Sequence, residues 1–287
     1  MTNPPPDGSR DRRIEDPTNL WIIHPAARAL LPWFVARGIS ANAVSVLGLC
    51  IGILAAAAYW NWAAWPWPLV GLALTIAWLI ADGLDGMVAR ATGTASPLGR
   101  FLDGICDHGV FALLYIAVAT SIGTVEGWVW AWSAGLLHVV QANLYESERA
   151  RFHSRCKGLP AAPPPVSRNP LVHLYDRFAG MLDRAARGFD ETLLRQGDPA
   201  PLASAYGERA ARPLLLLSLL SANVRIYALF LACLAGNPRL FWWFEIVPMT
   251  AILIVGLVWH RIVEYRLIRG ATPFETPNTY PLTGHDT

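Results

Sequence analysis

Charged residues are scarce in this chain. Of its 287 residues only 15% are charged, against about a quarter in average soluble domains. Hydrophobic residues make up 54%, and the mean hydropathy is +0.34. These values argue against an ordinary water-soluble enzyme and against an intrinsically disordered chain. The net charge of +2 gives no reason to expect a nucleic-acid partner.

Lysine and cysteine are rare as well. Lys157 is the only lysine, so arginine supplies nearly all of the positive charge. The four cysteines lie far apart and form no CxxC pair, which argues against a disulfide framework or a zinc site. Residues 1–16 are polar and lack the apolar region of a signal peptide, so we expect no secretory leader.

The chain instead contains long apolar runs. Residues 38–81 contain no Asp, Glu, Lys or Arg, which is about twice the length that one membrane-spanning helix needs. Asn61, Pro66 and Pro68 divide this run into two spans, and four similar stretches follow. We therefore predict an all-α integral membrane protein that is a bundle of six transmembrane helices. The predicted spans are residues 42–61, 67–90, 97–122, 127–147, 213–236 and 241–265.

Basic residues fall almost entirely on one side of these spans. The connections at 62–66, 123–126 and 237–240 hold a single arginine, Arg239. The positive-inside rule therefore places both termini and the remaining loops in the cytoplasm, and we expect a bacterial inner membrane.

Two further segments are amphipathic. Apolar residues recur at helical spacing from Trp21 to Phe34, which predicts an N-terminal interfacial helix within 17–40 or, equally, a helix packed on the bundle. A cytoplasmic insertion is predicted at 148–212, between helices 4 and 5. Its own amphipathic helix, over 171–189, is either a cover for a lipid-facing site or a surface helix. The other predicted segments are the N-terminal tail 1–16, helices 1–4 within 41–147, helices 5–6 within 213–268, and the C-terminal tail 269–287.

Four aspartates lie at the cytoplasmic ends of spans 2 and 3. Asp82 and Asp85 share one stripe of helix 2, and Asp103 and Asp107 are one turn apart on helix 3. Ionisable groups at membrane depth are costly and usually functional. Close carboxylates must take up protons or share cations, and their oxygens suit Mg2+, Mn2+ or Ca2+. Two such ions can clamp a phosphate group during displacement. The alternative is a solvated helix end at which each acid pairs with a local arginine.

This motif resembles that of the CDP-alcohol phosphotransferase family of integral membrane enzymes. The family pattern is D-x2-D-G-x2-A-R-x8-G-x3-D-x3-D, and every fixed position from Asp82 to Asp107 is filled. The start of span 1, from Ile39 to Ser45, is similar to that of the family, although Ala41 replaces the usual proline. The resemblance implies a homodimeric transferase of phospholipid synthesis, of the EC 2.7.8 type. Such an enzyme moves a substituted phosphate group from a CDP-linked donor to an alcohol and releases CMP.

The resemblance also implies roles for individual residues. Two divalent ions, Mg2+ or alternatively Mn2+, would be held by the four aspartates, and Asp107 would be the general base toward the acceptor hydroxyl. The metal ligands implied in this way are Asp82, Asp85, Asp103 and Asp107. The implied residues of the CDP site are Asn42, Gly86, Ala89, Arg90, Ser96 and Gly99.

The acceptor site is less sharply indicated. Three residues are candidates for contacts to the acceptor or to a phosphate: Arg149, where span 4 leaves the membrane, and Asn223 and Arg225 in span 5. An arginine inside a span, such as Arg225, needs a partner or a task. For Arg225 the alternative is an ion pair with an aspartate of the motif or with Glu264. We favour CDP-diacylglycerol as the donor and a small alcohol such as glycerol 3-phosphate, an inositol phosphate or serine as the acceptor. The alternative is transfer of a headgroup from CDP-choline or CDP-ethanolamine to a lipid hydroxyl.

Two other classes of protein use acidic residues in an apolar bundle. An intramembrane prenyltransferase also binds a diphosphate through aspartate-held Mg2+, but its acidic motifs lie on separated helices. A cation transporter needs a polar route across the whole bilayer, whereas residues 71–80 and 109–119 of spans 2 and 3 carry no charge. The sequence favours both alternatives far less than the transferase.

Overall fold

The computed structural model describes residues 11–95, 97–161 and 187–271, and of residues 97–103, 105 and 271 only the backbone. All regular structure within these ranges is helical, which confirms the predicted all-α fold. The predicted helix over 171–189 and both tails lie largely outside these ranges. The helices in chain order are α1 (His24–Ala36), α2 (Ala41–Trp60), α3 (Trp67–Ala91), α4 (Pro97–Ile122), α5 (Val125–Cys156), α6 (187–195), α7 (Ala200–Leu217), α8 (Ala222–Leu234), α9 (Arg239–Ile246) and α10 (Pro248–Ala271).

Several described helices are suited to a membrane. Ala41–Trp60, Trp67–Ala91 and Arg239–Gly270 are long and apolar enough to cross one. The pair α7 and α8, bent by 43° at its junction, would make a fourth span. In α4 the apolar part within the described side chains is the shorter stretch Cys106–Ile122. An integral membrane protein is therefore supported, and the count of six spans stays a prediction.

The later helices differ in extent from the predicted spans. Helix α5 continues past residue 147 to Cys156, and α7 begins at Ala200 rather than near 213. In α7, Leu202, Tyr206 and Ala210 are buried at intervals of four residues, so this polar-looking segment has an apolar face that packs against α5 and α10. The predicted sixth span is divided at Val247, because Pro248 has no N–H with which to continue the helix.

Helix α2 holds α3 and α4 in place. It packs against both helices, and glycine permits close approach. A Cβ atom added to Gly52 would lie 2.3 Å from Cγ2 of Val110 on α4, which is closer than real atoms come. Val110 is three residues from Asp107, so this contact fixes the part of α4 that carries a motif aspartate.

Helix α1 lies along α3 with its two faces in different surroundings. Ala27 is fully buried against Leu84 and Val88 of α3. Trp21 and Trp33, by contrast, are 71% and 50% exposed. The N-terminal helix therefore packs on the bundle while presenting aromatic rings outward, a pattern that also suits a membrane interface.

Candidate active site

A cavity of about 450 Å³ lies where the ends of α3 and α4 approach α5, α8 and the N-terminal segment. Asp82, Asp85 and Asp107 line it together. Three of the four predicted aspartates thus share one cavity. Asp103 is on α4, one turn before Asp107, and its side chain is outside the described residues.

Asp85 is the most buried of these acids and is held by a hydroxyl group. Its side chain accepts a hydrogen bond of 2.5 Å from Oγ of Ser45, which is itself buried near the start of α2. A buried carboxylate is tolerated when donors satisfy its oxygens. Ser45 belongs to the segment that opens span 1, but the sequence pattern alone predicts no role for it. Its position near the start of the helix was the signal that could have pointed to one.

Two of the predicted CDP-site residues line the cavity. Gly86 and Arg90 do so, and a Cβ atom on Gly86 would lie 3.3 Å from Nη1 of Arg90. The guanidinium group therefore lies against the bare backbone of the glycine. Asn42 is exposed at the start of α2 and Ala89 is half-buried on α3, and neither contributes to the described lining. Ser96 is outside the described residues, and Gly99 lies in the backbone-only part of α4.

All three predicted acceptor-site residues reach the same cavity. Arg149 is paired with Glu146 at 2.6 Å, and both side chains line the cavity from α5. Asn223 and Arg225 line it from α8. The cavity lining therefore combines carboxylates with guanidinium groups.

Arg225 has a different ionic partner from those expected. It is fully buried and forms an ion pair with Glu245 of α9, which is also fully buried. It also donates to Oε1 of Gln141 at 3.0 Å and to Nδ1 of His138 at 3.1 Å. Both predicted partners, a motif aspartate and Glu264, are replaced by Glu245. The sequence signal for this partner was that Glu245 is a single carboxylate within the apolar stretch 241–246.

A second cluster of ionisable groups lies away from the cavity, between α5 and α10. Among the described residues, Glu148, His260 and Glu264 offer three metal-ligand atoms within 4.8 Å of one another. Arginines already occupy these acids: Arg151 contacts Glu148 at 2.6 Å, Arg261 contacts both glutamates, and Arg155 contacts Glu264.

The electrostatics of this second cluster suit ion pairs rather than a metal. Burial alone would raise the pKa of Glu148. The hydrogen bond from His260 and the charges of Arg261 and Arg151 outweigh burial and lower the pKa to about 2. A divalent cation would have to displace guanidinium groups and bear their repulsion. The aspartate cavity, with oxygen donors on two helices, fits a hard divalent ion better.

Comparison with known proteins identifies the part of the chain that carries this site. Residues 38–157, which contain α2 to α5 and the whole aspartate motif, match the sequence model of the CDP-alcohol phosphatidyltransferases. Over these residues the chain is thus similar to a CDP-alcohol phosphatidyltransferase domain. The family resemblance predicted from the motif is therefore confirmed.

Individual relatives of the transferase domain share limited parts of their length with it. Cholinephosphotransferase 1 of Xenopus laevis is 27% identical over 121 residues, 38% of this chain and 30% of that protein. The Bos taurus cholinephosphotransferase 1 is 30% identical over 110 residues, 35% and 27% of the two chains. Archaetidylinositol phosphate synthase of Aeropyrum pernix is 48% identical over 54 residues, 17% of this chain and 28% of that protein.

The matched regions thus span less than a third of these relatives, and no solved structure matches the chain. Helix α8, with Asn223 and Arg225, lies outside the transferase domain as matched but completes its cavity.

Proposed function

We propose that this protein is a membrane phosphotransferase of phospholipid synthesis, which transfers a substituted phosphate group from a CDP-linked donor to an alcohol and releases CMP. The observation that carries the proposal is the shared cavity: the motif aspartates Asp82, Asp85 and Asp107 line it together with Arg90 and Arg149. Carboxylates hold cations and activate a hydroxyl group, while guanidinium groups bind phosphate.

In this proposal each aspartate acts through its oxygens. Asp82, Asp85, Asp103 and Asp107 would hold two divalent ions. When bound, Mg2+ or Mn2+ would neutralise the charge of the donor diphosphate and stabilise the leaving CMP. Asp107 takes the proton of the acceptor hydroxyl while the oxygen of that hydroxyl attacks the phosphorus atom bonded to the leaving CMP.

The donor site in this proposal lies along α3. Arg90 contacts the donor diphosphate, and the bare backbone at Gly86 lets the nucleotide approach closely. Asn42, Ala89, Ser96 and Gly99 would complete the nucleotide site.

We propose CDP-diacylglycerol as the donor and a small polar alcohol as the acceptor. Arg149 gives the cavity a cationic group suited to a phosphorylated alcohol. The stretch shared with an archaetidylinositol phosphate synthase supports this choice. A second candidate is headgroup transfer from CDP-choline or CDP-ethanolamine to a lipid hydroxyl, which the longer match to cholinephosphotransferases favours.

The remaining features of the proposal concern the whole protein. Six spans place the cavity at the cytoplasmic face of a bacterial inner membrane, with both termini in the cytoplasm, because the basic residues cluster on that side. A homodimer is proposed from the family resemblance. The insertion between the fourth and fifth spans would lie on the same side of the membrane as the cavity.

CMP release tests the proposed function directly. The purified protein, in detergent with Mg2+, is given CDP-diacylglycerol or CDP-choline and a panel of alcohols, and CMP is quantified. We expect turnover with CDP-diacylglycerol and one of the small alcohols, and loss of turnover in excess EDTA. Full turnover in EDTA would contradict the metal site, and turnover with CDP-choline alone would favour the second candidate.

The general base is tested by Asp107→Asn. This change keeps the size of the side chain but removes the proton acceptor, so we expect CMP release to fall by about 10² or more while labelled donor still binds. Asp198→Asn is the matched control, because Asp198 is exposed ahead of α7 and asparagine caps a helix equally well. Native turnover by Asp107→Asn would refute the role as base.

A further inference from the structure

The N-terminal segment, residues 11–19, is polar in sequence, yet its central residues Ile14, Glu15 and Asp16 are buried. Ile14 is 1% exposed and belongs to an apolar cluster with Leu144 and Tyr145 of α5. Glu15 and Asp16 are only 5% and 3% exposed. Burying carboxylates is costly unless they have polar partners, so the structure must supply a reason for this arrangement.

Asp16 caps the helical stretch that begins at Pro17 and leads into α1, and it links this stretch to the bundle. Its Oδ1 accepts from the backbone N–H of Thr18 at 2.7 Å and of Asn19 at 3.3 Å, and Pro17 follows it at the first helical position. That is the arrangement of a helix N-cap. The other carboxylate oxygen accepts from Oγ of Ser221, 3.0 Å away at the bend between α7 and α8.

Asn223 completes this junction. Its Nδ2 lies 2.6 Å from Oγ1 of Thr18, 2.8 Å from Oδ1 of Asn19 and 3.2 Å from Oδ1 of Asp16. An amide group has two N–H hydrogens, so these three acceptors use its whole donor capacity. Asn223, predicted from the sequence to contact the acceptor or a phosphate, is thus committed to the N-terminal segment.

The junction presents two polar side chains to the cavity. Glu15 and Asn19 line it together with the motif aspartates. Nδ2 of Asn19 donates to Oε1 of Glu15 at 2.9 Å, and Nε2 of His24 lies 3.7 Å from the same oxygen. These contacts fix the position of the Glu15 carboxylate at the cavity edge.

We infer that residues 11–19 form the acceptor-side wall of the active site, in which Glu15 binds a hydrogen-bond-donating group of the acceptor alcohol and Asn223 is the positioning residue that holds the wall. The inference rests on the proposed function. Nothing in the family motif or in the matched range 38–157 covers this segment.

The charge of Glu15 suits the hydrogen-bond-donating end of an acceptor. The donor reacts at an anionic diphosphate, which a carboxylate outside the metal-binding motif would repel. An acceptor brings hydroxyl groups or, for an amino alcohol, an ammonium group, and any phosphate that it carries would lie away from Glu15. Hydroxyl and ammonium groups both donate hydrogen bonds to a carboxylate, and the bond from an ammonium group is the stronger because both partners are charged.

The positioning role of Asn223 has a readout that needs no substrate. Asn223→Ala removes the N–H donors of the Asn223 amide from the junction and leaves the bond from Ser221 to Asp16 in place. Trypsin should therefore cut the purified full chain faster after Arg12 and Arg13, as measured by mass spectrometry. Asn61→Ala is the matched control, because the Asn61 amide bonds only to the carbonyl of Ala57 at the far end of α2. Equal cleavage of Asn223→Ala and wild type would refute the role of Asn223.

Kinetics test the role of Glu15. Glu15→Gln keeps size and removes charge, so we expect the KM of the acceptor to rise about tenfold, with the KM of the CDP donor unchanged. Glycerol 3-phosphate and serine, used as acceptors with CDP-diacylglycerol, separate a hydroxyl from an ammonium partner. Glu15→Asp should restore part of the affinity, and trypsin cleavage should stay at the wild-type rate.

The outcomes separate this inference from the proposed function. Unchanged acceptor KM in Glu15→Gln, or a change in donor KM alone, would overturn the acceptor role. If the wild-type protein released no CMP with any donor and acceptor, the proposed function would fail and the role of Glu15 with it. The attachment of the wall by Asn223 would still be decided by proteolysis.

Discussion

Among single residues, Ser45 has the clearest effect on the aspartate motif. Its hydroxyl group, on α2, donates a hydrogen bond to the Asp85 carboxylate on α3, and both side chains are buried. Residues that orient a metal ligand typically change metal affinity or activity by about 10–100-fold when they are removed. We therefore expect Ser45→Ala to raise the Mg2+ concentration needed for half-maximal CMP release by about tenfold.

The control for Ser45 is another buried serine. Ser218 is 2% exposed, and its hydroxyl donates to the backbone carbonyl of Leu215. Ser218→Ala should leave the Mg2+ requirement unchanged. A normal Mg2+ requirement in Ser45→Ala would show that Asp85 is positioned by other contacts.

Arg225 and Glu245 form a buried pair whose single and double replacements should differ. Removing one member of a buried ion pair typically costs about 3–5 kcal/mol, because the other charge is left without a counterion. We expect Arg225→Leu to lower the melting temperature strongly in detergent. The double variant Arg225→Leu with Glu245→Leu should recover much of that loss.

An exposed pair provides the comparison. Arg239 and Glu126 are 3.2 Å apart but 38% and 58% exposed, and such pairs contribute only about 0–1 kcal/mol. Replacing Arg239 by leucine should therefore barely change the melting temperature. If Arg225→Leu kept the native melting temperature and raised only the KM of a phosphorylated acceptor, Arg225 would be a substrate contact as the sequence suggested.

The residues that sequence reasoning found and missed differ in kind. Asp82, Asp85 and Asp107 stand in a fixed local spacing, and helical geometry alone brings them to one end of the bundle. Glu245 and Ser45 become important only through partners at sequence distances of 20 and 40 residues. Such pairings depend on how helices cross, which a single sequence does not encode locally.

At the scale of helices, the contact between α2 and α4 positions Asp107. Gly52→Ala would place a methyl group 2.3 Å from a methyl group of Val110, so the helices must separate. We expect a melting temperature several degrees lower, for a cost of about 1–3 kcal/mol, and reduced CMP release. Circular dichroism melting and the CMP assay in the same detergent measure both effects.

Gly135 of α5 is the matched control. A Cβ atom there would have nothing within 4 Å, and alanine is the better helix former. Gly135→Ala should keep or slightly raise the melting temperature. Equal melting temperatures for Gly52→Ala and wild type would mean that α2 and α4 adapt without loss.

Helix boundaries were predictable where apolar runs end at turn residues. The turn of Asn61 to Pro66 separates α2 from α3 as expected. Helix α7 was not foreseen at Ala200, because its polar face of charged residues resembles a loop when read by composition. Its buried face becomes evident only once α10 packs against it.

For the whole molecule, the number of membrane-spanning helices is a prediction that labelling can test. Three described helices have the length and apolar character to cross a membrane, and the bent pair α7–α8 would add a fourth. The prediction of six spans adds α4 and the first part of α5. Polar residues of the cavity, such as Asp107 and His138, interrupt the apolar stretches of these two helices.

Single-cysteine labelling decides the topology. In a variant with its four native cysteines replaced by serine, Ala64→Cys and Asn237→Cys should react with a membrane-impermeant maleimide on intact spheroplasts. Thr94→Cys should react only after the membrane is opened, because six spans with cytoplasmic termini place the 91–96 loop inside. Labelling of Thr94→Cys on intact spheroplasts would mean that the topology is inverted. The aspartate cavity would then lie outside the cytoplasm, away from cytoplasmic CDP-linked donors. Protection of Asn237→Cys in intact cells would instead mean that α8 and α9 do not form a spanning hairpin.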